Sequence, residues 1–399
     1  MKWTNKGYEF SYMKSKYEEI LGTGIYVFGT GVVSRNMCTP LLKFDLVGGF
    51  IDNDIQKQGT FFMGKPIISL EEYMQFSNPG AIVIALNKKN EKEVVAQLES
   101  NGINHEKIYK VADFLDNMFV PMLCELKNKI YVELTQISLT ERCTLKCKYC
   151  AHGCYAVSKD AEDLSLDEVK KSADYYFKFV DYVKYFVLIG GEPLLYKGLS
   201  DVVEYIASRY KDQIGRLQIT TNGTIIPDRN LLNNCKKHNV HFLISNYTKA
   251  IARLEKRLSE LVMTLGNTGI KYDVFDENTQ WMDYGFGHLD RKATEEDLIN
   301  VFDACRTACH EVRGEKFYFC VMARSVSENV MNNKVGVNDY LDLSSLNPTE
   351  TEDRKVFMEY VMGYSEQGYL EMCNHCNGAE SYKYVIPAAE QIKVNGRSE

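Results

Sequence analysis

Residues 141–154 read "ERCTLKCKYCAHGC" and hold four of the chain's twelve cysteines. They follow "KIYVELTQISLT" (129–140), an apolar run of strand character, so the cysteines fall in the turn that ends a strand. The first twenty residues lack an apolar signal core, and no stretch approaches about 18 uninterrupted apolar residues. That places the chain in the cytoplasm, away from membranes. In such a reducing compartment clustered thiols act as metal ligands or catalytic groups more often than as disulfides. Cys143, Cys147 and Cys150 make C-x-x-x-C-x-x-C, with aromatic Tyr149 before the last thiol. Three thiolates can ligate three irons of a [4Fe–4S] cluster and leave the fourth iron open. The alternative on spacing alone is a structural zinc site, closed by Cys154 as fourth ligand.

Working outward, residues 130–300 repeat a strand and then a helix. "YFVLIGG" (185–191), "RLQITTNG" (216–223) and "VHFLISNY" (240–247) are apolar runs ending in polar or glycine-containing turns. Ser165 and Glu168 form an S-x-x-E capping box that starts the helix after the cysteine turn. Repeated βα units with reactive groups at the strand C-termini predict a full or partial β/α barrel. Towards the N-terminus, "GIYVFGTGVVS" (24–34), "LVGGFIDND" (46–54) and "GAIVIAL" (80–86) predict a small parallel α/β sheet of Rossmann type over residues 1–120. Gly29, Gly31 and Ser34 give G-x-G-x-x-S, with Asp52 near the position of a ribose-binding acid. A serine stands where the usual fingerprint has a third glycine. The domain is therefore either a nucleotide or nucleotide-sugar binder or a docking module with a tight first turn.

Composition removes other classes. An apolar content of 45 % over 399 residues is that of a folded chain able to bury large cores. A net charge of −7, without any long basic run, argues against a nucleic-acid surface.

The motif C-x-x-x-C-x-aromatic-C after the first barrel strand, with "GGEP" (190–193) ending the second, resembles the radical S-adenosylmethionine (radical SAM) superfamily. The resemblance covers about residues 131–376. It implies that Cys143, Cys147 and Cys150 hold a [4Fe–4S] cluster whose open iron chelates S-adenosylmethionine. It further implies that Tyr149 lies against the adenine and that Gly190, Gly191, Glu192 and Pro193 meet the amino group. Thr221, Asn222 and Gly223, with Ser245 and Asn246, are expected to line the ribose and carboxylate side. A flavodoxin or ferredoxin-type protein would be the electron donor.

Five further cysteines lie downstream. "ACRTACHEVRGEKFYFC" (304–320) places Gly314 in a hairpin between cysteines, and "CNHC" (373–376) supplies a thiolate pair. Cys305, Cys309, Cys320, Cys373 and Cys376 resemble the small C-terminal auxiliary-cluster domains of the family, called twitch with one cluster and SPASM with two. The count favours one auxiliary [4Fe–4S] cluster, with Cys305 and Cys309 competing for a place, in a domain spanning 301–399. A zinc knuckle is the alternative. Cys38, Cys124 and Cys235 read as small core hydrophobes. Cys154 could also give a hydrogen atom to a substrate radical. His152 and His375 read as local hydrogen-bonding groups, and "QWMDYGFGHLD" (280–290) offers Trp281, Asp283 and His288 to the open face of the barrel. The reaction these features imply is hydrogen abstraction from a polar small molecule, a sugar, aminocyclitol or glycan-related compound that is oxidised or epimerised. The alternative is modification of a ribosomally made peptide.

Overall fold

The structure is a computed structural model that describes residues 1–305 and 309–392. The chain divides into two compact units, Tyr8–Tyr131 and a second made of Met1–Gly7 with Val132–Glu399. Among the described residues no helix is long and apolar enough to cross a membrane.

The first unit is a six-stranded sheet. Its strands are β1 (Ile25–Phe28), β2 (Val47–Ile51), β3 (Phe61–Phe62), β4 (Lys65–Ile68), β5 (Ile82–Ile84) and β6 (Ile108–Lys110), in the order β3-β4-β2-β1-β5-β6. All pairings are parallel except β3 with β4. β1 and β5 are buried along their whole length, which is why they read as unbroken apolar runs rather than alternating ones. Gly29 ends β1 at φ +110°, where a Cβ would meet Leu86 Cδ2 at 2.6 Å, so the turn demands glycine. The serine at position 34 is no loose substitute for a third glycine: it is buried and its Oγ donates to the Gly29 carbonyl at 2.6 Å.

The second unit is built on an eight-stranded sheet. Its strands are β7 (Tyr131–Thr140), β8 (Tyr182–Gly190), β9 (Ile214–Thr221), β10 (His241–Ile244) and β11 (Tyr272–Val274), followed by β13 (His310–Arg313), β14 (Lys316–Tyr318) and β15 (Leu341–Asp342). Their order is β11-β10-β9-β8-β7-β13-β14-β15. β8 to β11 pair in parallel, with a helix before each next strand, giving the partial β/α barrel that the repeat predicts. The capping box forms as written. Glu168 N–H donates to Ser165 Oγ at 3.2 Å, Ser165 N–H donates to the Glu168 carboxylate at 2.7 Å, and the helix Leu166–Phe179 follows. That helix buries Val169, Ala173, Tyr176 and Phe177 against the sheet, where Tyr176 shares a 2.8 Å hydrogen bond with Thr135.

The stretch from 301 onward does not open a separate compact unit. β13 pairs in parallel with β7, and the hairpin turned at Gly314 (φ +61°) extends the barrel sheet. Residues on both sides of position 300 belong to the second unit. A separate two-stranded ribbon joins β12 (Gln280–Met282) to β16 (Val385–Pro387) in antiparallel register.

Candidate active site

The turns that end β7, β8, β9 and β10 meet around one cavity of about 340 Å³, within the range of small-molecule sites. Cys143, Cys147 and Cys150 line it together, with Tyr149, Gly190, Gly191, Thr221, Asn222 and Ser245.

The glycines of "GGEP" are dictated by contact. A Cβ on Gly190 would lie 2.1 Å from the Thr140 carbonyl, and one on Gly191 would lie 2.2 Å from that of Arg142. Only bare backbone can press against the start of the cysteine loop, where Gly191 N–H donates to Thr140 O at 2.8 Å and Glu192 N–H to Arg142 O at 2.9 Å.

Glu192 is fully buried and is not among the residues lining the cavity. Its carboxylate accepts from Thr221 Oγ1 at 2.7 Å, Asn222 N–H at 2.8 Å and Leu194 N–H at 3.1 Å. It ties the β8 turn to the β9 turn. Asn222 carries the tie on, its Nδ2 donating to Cys143 Sγ at 3.5 Å and to Thr144 Oγ1 at 3.1 Å. Pro193, Gly223 and Asn246 also stand off the cavity wall. Asn246 caps its own turn by accepting from Thr248.

Burial pushes the Glu192 carboxyl up to about 7, against the downward pull of its three donors. A folded-state value raised above the ordinary one favours the neutral form, so the stability this group contributes is full below its ordinary value of 4.5 and is lost as pH rises through about 7. Urea denaturation should show wild-type stability falling between about pH 5 and about pH 8, and a flatter profile for Glu192→Gln. Equal slopes in the two proteins would show that Glu192 is ionised throughout.

The cysteine loop is both apolar and supplied with donors to sulfur. Leu145, Cys147, Ile251 and Ala389 form a buried cluster, with Cys143, Cys150, Tyr247 and Trp281 packed on it. Leu145 N–H approaches Cys143 Sγ at 3.5 Å, and Gln391 Nε2 donates to Cys147 Sγ at 3.2 Å. Burial pushes the Cys143 thiol up to about 11 and the Cys147 thiol up to about 12, so a metal bound here must displace protons. Cys150 behaves oppositely, because the neighbouring Cys154 thiol hydrogen-bonds to it and favours its thiolate. Cys154 is buried against Cys150 and is not among the residues lining the cavity. Among the described residues no three His, Cys, Asp or Glu side chains converge on the space of a single ion. Thiolates bound to separate irons of a cluster need no such convergence. Three thiols on one wall with amide donors to two of them suit an iron–sulfur cluster as a donor set.

His152 also lines the cavity, and its buried Nδ1 has no hydrogen-bond partner among the described residues. His375 makes the local bond expected of it, to Leu289 O at 2.8 Å. Cys38, Cys124 and Cys235 are buried, as expected of small core hydrophobes. In the 280–290 stretch the wall is made by Gln280, Trp281, Met282 and Tyr284. Asp283 instead accepts from Gly285 N–H at 2.8 Å and faces His288 at 3.5 Å. Tyr247 and Trp281 meet edge to face at 5.6 Å.

A second, smaller cavity of about 40 Å³ is lined by Cys305, Cys320, Cys373 and Cys376 among Phe302, Phe319, Leu370 and Met372. Of the two competing cysteines, Cys305 is on this wall. Cys309 is off it, although its thiol is close enough to interact electrostatically with that of Cys305. Burial pushes Cys373 up to about 12 and Cys376 up to about 11, and Gly378 N–H donates to Cys376 Sγ at 3.3 Å. Tyr284 lines both cavities.

In the first unit a cavity of about 690 Å³ opens at the C-terminal ends of β1, β2 and β5, lined by residues 29–33, Asp52, Lys57, Asn87 and Asn90. Asp52 already accepts from Thr30 Oγ1, from Asp54 N–H at 3.0 Å and from Lys57 Nζ at 3.0 Å. Burial opposes its ionisation, yet these donors hold the carboxyl below its usual range. A ribose hydroxyl would have to compete with them.

Residues 137–245 match the Radical SAM superfamily. Among curated relatives, the GTP 3′,8-cyclase of Stenotrophomonas maltophilia (strain R551-3) is 28 % identical over 168 residues, 37 % of this chain and 50 % of that one. GTP 3′,8-cyclase 3 of Mycobacterium tuberculosis (strain CDC 1551 / Oshkosh) is 35 % identical over 98 residues, 24 % of this chain and 25 % of that one. The chain thus spans between a quarter and a half of these relatives' length. Among solved structures, BtrN in complex with AdoMet and 2-DOIA is 17 % identical and covers 65 % of this chain and 100 % of its own, with a TM-score of 0.41. That overlap is too loose to carry function across.

Proposed function

From the radical SAM domain that residues 137–245 match, we propose that this enzyme abstracts a hydrogen atom from a carbinol carbon of a sugar, aminocyclitol or similar polar molecule, passes the hydroxyl proton to a general base, and so completes a two-electron oxidation to the carbonyl. When bound, a [4Fe–4S] cluster on Cys143, Cys147 and Cys150 supplies the electron that cleaves S-adenosylmethionine to methionine and a 5′-deoxyadenosyl radical, and a second cluster on Cys305, Cys320, Cys373 and Cys376 supplies the acceptor for the electron the oxidation releases. The observation that carries the oxidoreductase reading is Tyr284, which is a wall of both cavities.

The chain's own residues supply position and shelter. Gly190 and Gly191 present bare backbone at the cavity wall, where a side chain could not fit. Asn222 and Ser245 offer polar groups on the opposite turns. Tyr149 is held at φ +61°, a left-handed conformation costly for a bulky residue, which sets its ring at the cavity edge under Lys148 Nζ, 4.7 Å from the ring centre. Tyr247 and Trp281 shield the sulfur side from water. Tyr284 stacks on Phe286 at 5.9 Å, so an aromatic pair stands where the two cavities share a wall residue.

The test uses anaerobically reconstituted full-length protein, S-adenosylmethionine, a reductant and a panel of carbon-deuterated sugars and aminocyclitols. A true substrate should raise 5′-deoxyadenosine release, pass deuterium into it, and yield a product two hydrogens lighter. Cys373→Ala should keep the deoxyadenosine and lose the oxidised product. A product isomeric with its substrate would overturn the oxidation, and a thioether or other crosslink formed in a peptide would replace it with the peptide reading.

A further inference from the structure

The chain returns to the cysteine loop nearly 250 residues later. After β16 pairs with β12, placing Ile386 opposite Trp281, the backbone turns at Ala389. Ala389 sits at φ +57°, a left-handed conformation unfavourable for a residue with a Cβ, and it is wholly buried against Leu145, Cys147 and Ile251. The turn sends residues 390–392 antiparallel across the loop, with Gln391 bridged to Cys147. Lys148 N–H donates to Glu390 O at 2.6 Å, and Ile392 N–H donates to Lys146 O at 2.9 Å.

The Gln391 side chain lies between these bonds. Its Oε1 accepts from Lys146 N–H at 2.9 Å, while its Nε2 donates to Ala389 O at 2.8 Å and to Cys147 Sγ at 3.2 Å. The orientation of the amide follows from its neighbours, since a backbone N–H can only donate and a carbonyl can only accept. The nitrogen must therefore face the sulfur.

We propose that Gln391 is a positioning residue of the cluster site, fixing the Cys147 sulfur and raising the reduction potential of the cluster that Cys147 holds. The inference rests on Cys147 being a cluster ligand. An N–H donor to a thiolate stabilises the extra negative charge of the reduced cluster, and hydrogen bonds to sulfur are among the factors that set such potentials. Gln391→Leu keeps the bulk and removes the donor, whereas Gln391→Glu turns a carboxylate oxygen towards the sulfur.

The experiment is a redox titration of reconstituted full-length protein followed by electron paramagnetic resonance, with iron content measured alongside. The midpoint potential of the site that Cys147→Ala abolishes should shift downward in Gln391→Leu and further in Gln391→Glu. Should Gln391→Leu fail to load iron, Gln391→Met preserves the length of the strap residue without an N–H and should shift in the same direction. Wild-type midpoints in iron-loaded variants would overturn the proposal. Undiminished iron and an unchanged signal in Cys147→Ala would instead overturn the ligand assignment beneath it, so the two failures are distinct.

Discussion

Replacing Cys147 by alanine should reduce release of 5′-deoxyadenosine by the reconstituted, reduced protein to background, with or without substrate. It should also cut iron from about eight per chain to about four, as expected if each of two sites holds a [4Fe–4S] cluster. The argument is local geometry. Cys147 is the middle thiol of the triad, is 7 % exposed, and is held by Gln391 through both the amide bond to its sulfur and the antiparallel backbone pairing. No other cysteine can take its place: Cys154 is buried against Cys150, and Cys38 and Cys235 lie in apolar cores. Cys235→Ala is the control, expected to leave iron and activity at wild-type levels. Full iron content and undiminished deoxyadenosine release in Cys147→Ala would return the triad to a structural role. Zinc in place of iron would do the same.

What could be read from the sequence was what depends on neighbours. The barrel strands showed because strands buried on both faces are continuous apolar runs, and the helix Leu166–Phe179 showed because its cap is two residues three apart. The triad showed for the same reason, as did the glycines of the β8 turn. The bonds of Glu192 were not legible because a motif names a residue without saying which atoms it meets, and a fully buried carboxylate bonds to the donors closest to it. Tyr247 and Tyr284 lay within stretches singled out for the barrel mouth, but only pairing across the ribbon selects Gln280, Trp281 and Met282 for that side. Nothing within the closing "IPAAEQ" (386–391) singles out Gln391, which acts on a loop 244 residues away. The continuity of residues 301–392 with the barrel was hidden likewise, because it depends on β13 pairing with β7 across more than 170 positions.

Arg324→Met should lower the stability of the barrel unit by about 3–5 kcal/mol, the range for removing one partner of a buried ion pair. Arg324 lies on the helix Val321–Asn329 with its side chain 1 % exposed. Its guanidinium donates to both oxygens of Glu311, at 2.7 and 3.0 Å, and through Nη1 to Glu141 at 2.6 Å and Glu328 at 2.9 Å. Glu311 is on β13 and also accepts from Ser138 N–H on β7, so one fork joins the helix, the added hairpin and the first barrel strand. Burial would push the Glu141 carboxyl up, yet Arg324, Asn329 and Arg313 outweigh it and hold it at about 2. Methionine fills the space of the arginine stem but leaves Glu311, fully buried, without its cation. The large effect comes from that stranded charge and not from the attraction alone, so Arg324→Met with Glu311→Gln should recover part of the loss. Glu141 stands two residues before Cys143, and the single variant should therefore also load iron poorly at the triad. Chemical denaturation decides the matter: a loss below about 1 kcal/mol would mean that water reaches these groups and that the network does not join the hairpin to the barrel.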